Sequence, residues 1–161
     1  PDIVAHLTRV VSERLATDGN PFRPGAVELL RALRAQGVRT ALVTMSLRDM
    51  ALTVAGQMGF DAFDLVVAGD DVTRPKPFPD PYLQACTTLG VDPADAVAIE
   101  DSPTGVRAAA SAGVTTIGVP LMVPLDGTGA HVLWPTLEGR TTDDLRAVHA
   151  ARRTNRDEVS A

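Results

Sequence analysis

The sequence is poor in several residue types, and each scarcity excludes a class of protein. It contains one cysteine, Cys86, so an internal disulfide framework is impossible and the composition fits a reducing cytosol. No run of 18 or more apolar residues is present, which argues against a membrane-spanning helix. The formal net charge is −5 without a basic stripe, which is unfavourable for binding nucleic acid or an anionic membrane. We therefore expect a cytoplasmic protein that binds neither.

Lysine is the scarcest charged residue. Of the 15 basic residues, 14 are arginine and only Lys76 is lysine. Four prolines lie within residues 75–81, so the backbone around Lys76 has few allowed conformations. A held ammonium group suits a phosphate or a carboxylate partner. The alternative is a solvated lysine in a turn, and the sequence alone leaves the two interpretations balanced.

The apolar pattern from residue 22 onward alternates between helix and strand. The predicted strands are residues 39–44, 65–68, 96–99, 115–119 and a short one at 131–133. The predicted helices are residues 26–36, a helix from 47 that ends near Gly56 or Gly59, 81–89, 103–112 and 142–150, preceded by one at 2–17. Short strands separated by helices indicate βαβ units. The fold class is therefore α/β, with a parallel sheet covered by helices on both faces.

The carboxyl end of the first strand carries Thr44, Met45 and Ser46. Ligands of open parallel sheets bind beyond the carboxyl ends of the strands. Hydroxyl and backbone N–H groups at the start of a helix can bind an oxyanion or a phosphate. Taken alone, the commoner interpretation is that Thr44 is a strand former and Ser46 caps the helix.

The strand at 96–99 is followed directly by Glu100 and Asp101. Adjacent carboxylates at a strand end suit a hard cation such as Mg²⁺. The alternative is an acidic helix start, with Ser102 as the N-cap and Pro103 at the first helical position. The two interpretations are compatible, because Ser102 can cap the helix while Asp101 binds a metal ion.

The order of these segments resembles the haloacid dehalogenase superfamily, in its β-phosphoglucomutase and phosphoglycolate-phosphatase-like branch. The matching stretches are residues 23–25, 42–46, 76–80 and 99–105, and the resemblance extends over about residues 22–145. It implies a Rossmannoid three-layer sheet that lacks its first, central strand. It also implies that residues 1–20 are the remnant of a helical cap and residues 21–150 the core domain, which leaves residues 151–161 as a polar tail.

The resemblance also implies an activity and a site. The activity is Mg²⁺-dependent hydrolysis of a small phosphate monoester, a phosphorylated metabolite, through an aspartyl-phosphate. A phosphomutase, or a catalytically dead remnant that binds phosphate-bearing ligands or a partner protein, is the alternative. Lys76 and Thr44 would be the catalytic residues of this chain. The implied ligands are Thr44, Met45, Ser46 and Lys76 for the phosphoryl group, and Asp101 and Glu100 for Mg²⁺.

One part of the family's pattern is absent. The family's nucleophile lies in an Asp-x-Asp motif on the first core strand, and the 161 residues contain no Asp-x-Asp. Because the sequence begins at Pro1, we expect a truncated chain that is inactive alone. Loss of the central strand would leave two unpaired strand edges. We expect the missing segment to come from another chain or a second copy, or the strand ending at Thr44 to pair directly with the one ending at Ile99.

Overall fold

The computed structural model describes residues 22–159 continuously, together with residues 3, 9–11, 13, 14 and 17. The helix predicted over residues 2–17 and the cap remnant predicted over residues 1–20 lie largely outside the described residues. The continuously described residues, 22–159, include nearly all of the predicted core domain.

Helices and strands alternate along residues 22–159, as the periodicity predicts. The helices are α1 (Ala26–Ala35), α2 (Arg48–Gly56), α3 (Asp80–Leu89), α4 (Pro103–Ser111) and α5 (Thr142–Val159). The strands are β1 (Ala41–Val43), β2 (Leu65–Val67), β3 (Val97–Glu100), β4 (Thr115–Gly118) and β5 (Val132–Leu133). Short 3₁₀ turns lie at Gly69–Asp71 and Pro93–Asp95. None of the described helices combines the length and the apolar content needed to cross a bilayer.

The strands form two separate parallel sheets. β1 pairs with β2, with Leu42 opposite Val66, and β3, β4 and β5 form the second sheet in that order. β1 and β3 are not paired with each other, so the expected alternative of direct pairing between them is wrong. Each of these two strands keeps one edge without a strand partner among the described residues.

Two hydrophobic clusters cover opposite faces of the second sheet and make the three layers. Cys86 of α3 and Ala109 of α4 pack on one face, where Cys86 is the buried core residue that its helical position predicts. Leu29 of α1 and Leu145 of α5 pack on the other face with Ile117 of β4. All four residues of β4 are buried, as expected for a strand covered on both faces.

The last helix is longer than predicted. The sequence pattern ends it at Ala150 and assigns residues 151–161 to a polar tail, but α5 continues to Val159. The apolar stripe does stop near Val148, yet the following Ala, Arg, Asp and Glu residues are compatible with a helix. Arg153 Nη1 donates to Asp95 Oδ1 at 2.7 Å and so attaches the extension of α5 to the 3₁₀ turn at Pro93–Asp95.

Candidate active site

A cleft of about 410 Å³ opens between the carboxyl ends of β1 and β3. Residues at and just after the ends of both strands line it, so the loops that follow the two strands meet here. The residues predicted for the site that line the cleft are Thr44, Met45, Lys76, Glu100 and Asp101. Ser46 is the only predicted site residue that does not line it. The cleft thus brings together the three segments that the sequence separates by more than 20 residues each.

The loop after β1 is held from behind by the 3₁₀ turn that follows β2. Thr44 Oγ1 accepts a hydrogen bond from Ser46 N at 3.1 Å, and Ser46 O accepts one from Gly69 N at 2.9 Å. A side chain at residue 69 would place its Cβ 2.5 Å from Met45 O, so the close approach requires glycine. Ser46 therefore shapes the loop through its backbone, and Thr44 and Met45 face the cleft.

The start of α2 is capped by an aspartate and not by Ser46. The N-cap position is Leu47, which has no side-chain cap, and Asp70 Oδ1 accepts from Arg48 N at 3.0 Å. The interpretation of Ser46 as the N-cap is therefore wrong. The Arg48 guanidinium donates to Asp71 and, together with the Ala68 N–H, holds the pKa of that carboxyl below its usual value. These contacts attach α2 to the turn after β2.

Lys76 is buried at the mouth of the cleft. Its side chain is 8% exposed, and Nζ donates to Val43 O at 3.0 Å and to Glu100 Oε1. The Tyr82 ring centroid lies 5.2 Å from Nζ, within range of a cation–π contact. The interpretation of Lys76 as a solvated turn residue is therefore wrong. The ammonium spans the cleft from the end of β1 to the end of β3.

Glu100 is enclosed on both of its oxygens. Oε1 accepts from Lys76 Nζ and from the Tyr82 hydroxyl, and the residue is 7% exposed. Oε2 and Cδ occupy the space that a Cβ at Gly105 would take, so the glycine in the first turn of α4 makes room for the carboxylate. This carboxylate is committed to Lys76 and Tyr82. Its implied role, to ligate Mg²⁺ or to position the ion beside Asp101, stays a prediction.

Tyr82 is a site residue that the sequence reasoning missed. It is 7% exposed in the first turn of α3, and its hydroxyl reaches Glu100 across the face of the sheet. Burial, and then the negative charge of Glu100, raise the pKa of the phenol well above its usual value. The hydroxyl therefore remains a hydrogen-bond donor at physiological pH. A signal was available, because Tyr82 is the only tyrosine of the chain and follows Lys76 by six residues.

Arg23 is a second residue that was not predicted for the site. It lines the cleft, and its guanidinium donates to Val119 O at 2.6 Å and to Pro120 O at 3.0 Å. Arg23 thereby ties the segment before α1 to the loop after β4. Its guanidinium fixes the cleft wall and adds positive charge beside it.

The residues at the end of β3 fit a hard cation in their chemistry. Asp101 is exposed in the cleft, and Ser102 Oγ accepts from Gly105 N at 3.1 Å, so the predicted cap of α4 is confirmed while Asp101 stays available. Mg²⁺ is bound by one or two carboxylates together with water and substrate oxygens. Within the described residues, no group of three or more His, Cys, Asp or Glu side chains is assembled. Asp101 therefore fits as one carboxylate ligand of Mg²⁺, beside ligands that the described residues do not supply.

Comparison with known proteins identifies relatives of this chain. A family model for haloacid dehalogenase-like hydrolases matches residues 1–113. Validoxylamine A 7'-phosphate phosphatase of Streptomyces hygroscopicus subsp. limoneus is 38% identical over 96 residues, covering 59% of this chain and 45% of that protein. Hexitol phosphatase A of Escherichia coli (strain K12) is 36% identical over 119 residues, covering 73% of this chain and 55% of that protein. The chain spans about half the length of these curated relatives.

A solved structure is similar to this chain in both sequence and fold. CbbY from Rhodobacter sphaeroides, in complex with phosphate, superimposes with a TM-score of 0.77 at 32% identity, covering 91% of this chain and 70% of that chain. Phosphoglycolate phosphatases are among the sequence relatives, and a β-phosphoglucomutase shares the fold. Because the family match covers more than half of its length, the chain belongs to the haloacid dehalogenase-like hydrolases.

Proposed function

We propose that this chain carries the phosphate-binding and metal-binding part of a Mg²⁺-dependent phosphohydrolase of small phosphate monoesters. The observation that carries the proposal is the burial of the only lysine, Lys76, at a cleft that it shares with Thr44 and Asp101. Relatives named as phosphatases of small phosphate esters support it. Sugar phosphates and short-acid phosphates are the proposed substrate class.

Each residue has a separate task in the proposed reaction. The Thr44 hydroxyl and the Met45 N–H would bind phosphoryl oxygens, and the Lys76 ammonium would offset the negative charge that gathers as phosphorus is attacked. Asp101 would hold Mg²⁺, with Glu100 beside it, and the metal would supply further charge neutralisation at the phosphoryl oxygens. Preorganised positive groups of this kind lower the barrier because they need no rearrangement during the reaction.

The nucleophile is proposed to come from a segment outside these 161 residues. In the part of the chain that the structure describes, β1 and β3 each keep an unpaired edge, and the cleft lies between their carboxyl ends. A parallel strand placed between them would pair with both edges and satisfy their backbone groups. An Asp-x-Asp motif at the end of such a strand would lie beside Lys76 and Asp101. The first Asp would then attack phosphorus and displace the alcohol of the ester, which the second Asp would protonate. Water would then attack the aspartyl-phosphate, releasing phosphate and regenerating the first Asp.

Phosphate release from a panel of sugar and short-acid phosphates tests the proposal. We expect the 161-residue chain to be inactive alone, and the intact gene product to release phosphate with Mg²⁺ and not with EDTA. Lys76→Ala should abolish the release, and Arg153→Ala, which removes a surface cation, should leave it unchanged. Release that is independent of Mg²⁺, or that survives Lys76→Ala, would refute the proposal.

The reading frame upstream of Pro1 separates the enzyme from its alternative. An Asp-x-Asp codon pattern there, at the end of an apolar strand, favours the hydrolase. A frame without one favours a protein that binds phosphate-bearing ligands and does not turn them over. Phosphate transfer back to the sugar, and not to water, would identify a phosphomutase in the same assay.

A further inference from the structure

Tyr82 contacts both members of the buried ion pair. Its hydroxyl donates to Glu100 Oε1, the same oxygen that receives Lys76 Nζ, and its ring centroid lies 5.2 Å from Nζ. Tyr82 itself belongs to α3, whereas Lys76 lies in the preceding loop and Glu100 ends β3. One side chain thus joins three segments of the cleft wall.

These contacts hold the Lys76 ammonium in place but do not occupy all of its N–H donors. An ammonium has three N–H donors. Among the described residues it meets two oxygen acceptors, Val43 O and Glu100 Oε1, and the ring of Tyr82. One donor is left for an oxygen atom in the cleft. The direction of this remaining N–H depends on the position of Glu100 Oε1. Two donors hold that oxygen, Lys76 Nζ and the Tyr82 hydroxyl.

We propose that Tyr82 is a positioning residue for Lys76. The hydroxyl fixes Glu100 Oε1, the carboxylate and the ring face fix the ammonium, and the remaining N–H is thereby presented to a phosphoryl oxygen. The ligand side of this inference rests on the proposed function, in which Lys76 binds the phosphoryl group. Tyr82 has no contact with the substrate in this arrangement, and its effect passes through Glu100 and Lys76.

The single lysine permits a direct test in the 161-residue chain. Lysine carrying an NMR-active nitrogen isotope at Nζ gives one side-chain signal, that of Lys76. Tyr82→Phe removes the hydroxyl and keeps the ring. The hydrogen bond from the Tyr82 hydroxyl to the Glu100 carboxylate is then lost. We therefore expect the Lys76 ammonium protons to exchange with water about tenfold faster. An exchange rate equal to that of the unsubstituted chain would overturn the proposal.

Thr116→Val is the matched control. Thr116 is fully buried in β4, and its hydroxyl donates to Val114 O at 3.0 Å, away from the cleft. The substitution removes one buried hydroxyl, as Tyr82→Phe does, and we expect the Lys76 exchange rate to stay unchanged. An equal acceleration in both variants would reveal a general loosening of the fold and would also overturn the proposal.

A second measurement leaves Tyr82 in place. Tyrosine labelled at Cζ gives one signal, because Tyr82 is the only tyrosine, and Glu100→Gln should shift it. An unmoved signal would contradict the hydroxyl–carboxylate contact.

In the active protein, Tyr82→Phe should lower kcat about tenfold while KM changes less than twofold. Failure of the proposed function is distinguishable, since it appears as absent phosphate release by the unsubstituted protein while both NMR results stand.

Discussion

The ion pair in the cleft and the ion pairs on the surface are built differently. The side chains of Lys76 and Glu100 are 8% and 7% exposed, whereas those of Arg153 and Asp95 are 62% and 55% exposed. The described ion pairs outside the cleft use arginine, and the cleft uses lysine. A compact ammonium can be enclosed by a carbonyl, a carboxylate and a ring, whereas a guanidinium is a planar fork.

The two kinds of pair also differ in what they contribute. An exposed pair contributes about 0.2–1 kcal/mol, because water and salt screen it and two flexible side chains must be ordered. Removing one partner of a buried pair costs about 3–5 kcal/mol, because the other charge is left unpaired. The one lysine of the chain therefore carries a charge that the fold cannot lose without leaving the Glu100 carboxylate unpaired.

The largest effect is expected from Lys76→Ala. The variant leaves the Glu100 carboxylate buried without its cation, and the free energy of unfolding should fall by about 3–5 kcal/mol in urea denaturation. Adding Glu100→Gln to this variant should recover part of the loss, because no unpaired charge then remains. A loss below about 1 kcal/mol would place the pair in the surface class.

Gly105→Ala is expected to have the second-largest effect on the free energy of unfolding. Alanine in a helix is ordinarily favourable by about 1 kcal/mol relative to glycine. At residue 105 the added Cβ overlaps the Glu100 carboxylate, so we expect a net destabilisation of about 1–3 kcal/mol and loss of phosphate release. The control is Gly56→Ala at the end of α2, where a Cβ meets nothing within 4 Å and stability should stay equal or rise.

Asp64 should give a smaller and pH-dependent effect. The Thr40 N–H and then the Arg34 side chain lower the pKa of Asp64. A lowered folded-state pKa adds stability that is present above the unfolded-state pKa of about 3.9 and is lost as pH falls through the folded value. Asp64→Asn should therefore reduce stability at neutral pH and flatten its decline in acid, measured by unfolding at several pH values. Superimposable profiles would contradict this.

The smallest effect is expected from Arg153→Ala. Its partner Asp95 remains solvated, so the stability should change by no more than about 1 kcal/mol and the change should vanish at high salt. Thermal unfolding at low and high ionic strength provides the measurement. A loss comparable to that of Lys76→Ala would remove the distinction between the two classes.

Much of the fold could be predicted because local patterns determine it. The short apolar runs around Leu42, Val66 and Ile117 give β1, β2 and β4, and Gly90 ends α3 in the left-handed conformation that favours glycine. The end of α5 could not be predicted in this way, since its last nine residues lack an apolar stripe. The separation into two sheets depends on pairing between distant strands, which the pattern within one strand does not contain.

The residues that line the cleft could be predicted from the sequence to the extent that they follow strands. Thr44 and Asp101 were found because the ends of parallel strands meet at one edge. Tyr82 reaches Glu100 from a helix packed on the sheet face, and Arg23 reaches Val119 O across 96 positions of sequence. Such contacts arise from tertiary packing, so strand-end reasoning does not locate them. The assignment of Mg²⁺ to Asp101 and Glu100 remains a prediction.

The gap between the two sheets has a consequence for local stability. Among the described residues, β1 and β2 are mostly half-buried and pair only with each other, whereas β4 is fully buried between two neighbours. Because no strand within residues 22–159 connects them, the two sheets should open as separate cooperative units. Amide hydrogen exchange should therefore be faster at Leu42 and Val66 than at Thr116 and Ile117. The chain would then hold its most protected amides on the β4 side of the cleft and its most labile ones beside Thr44.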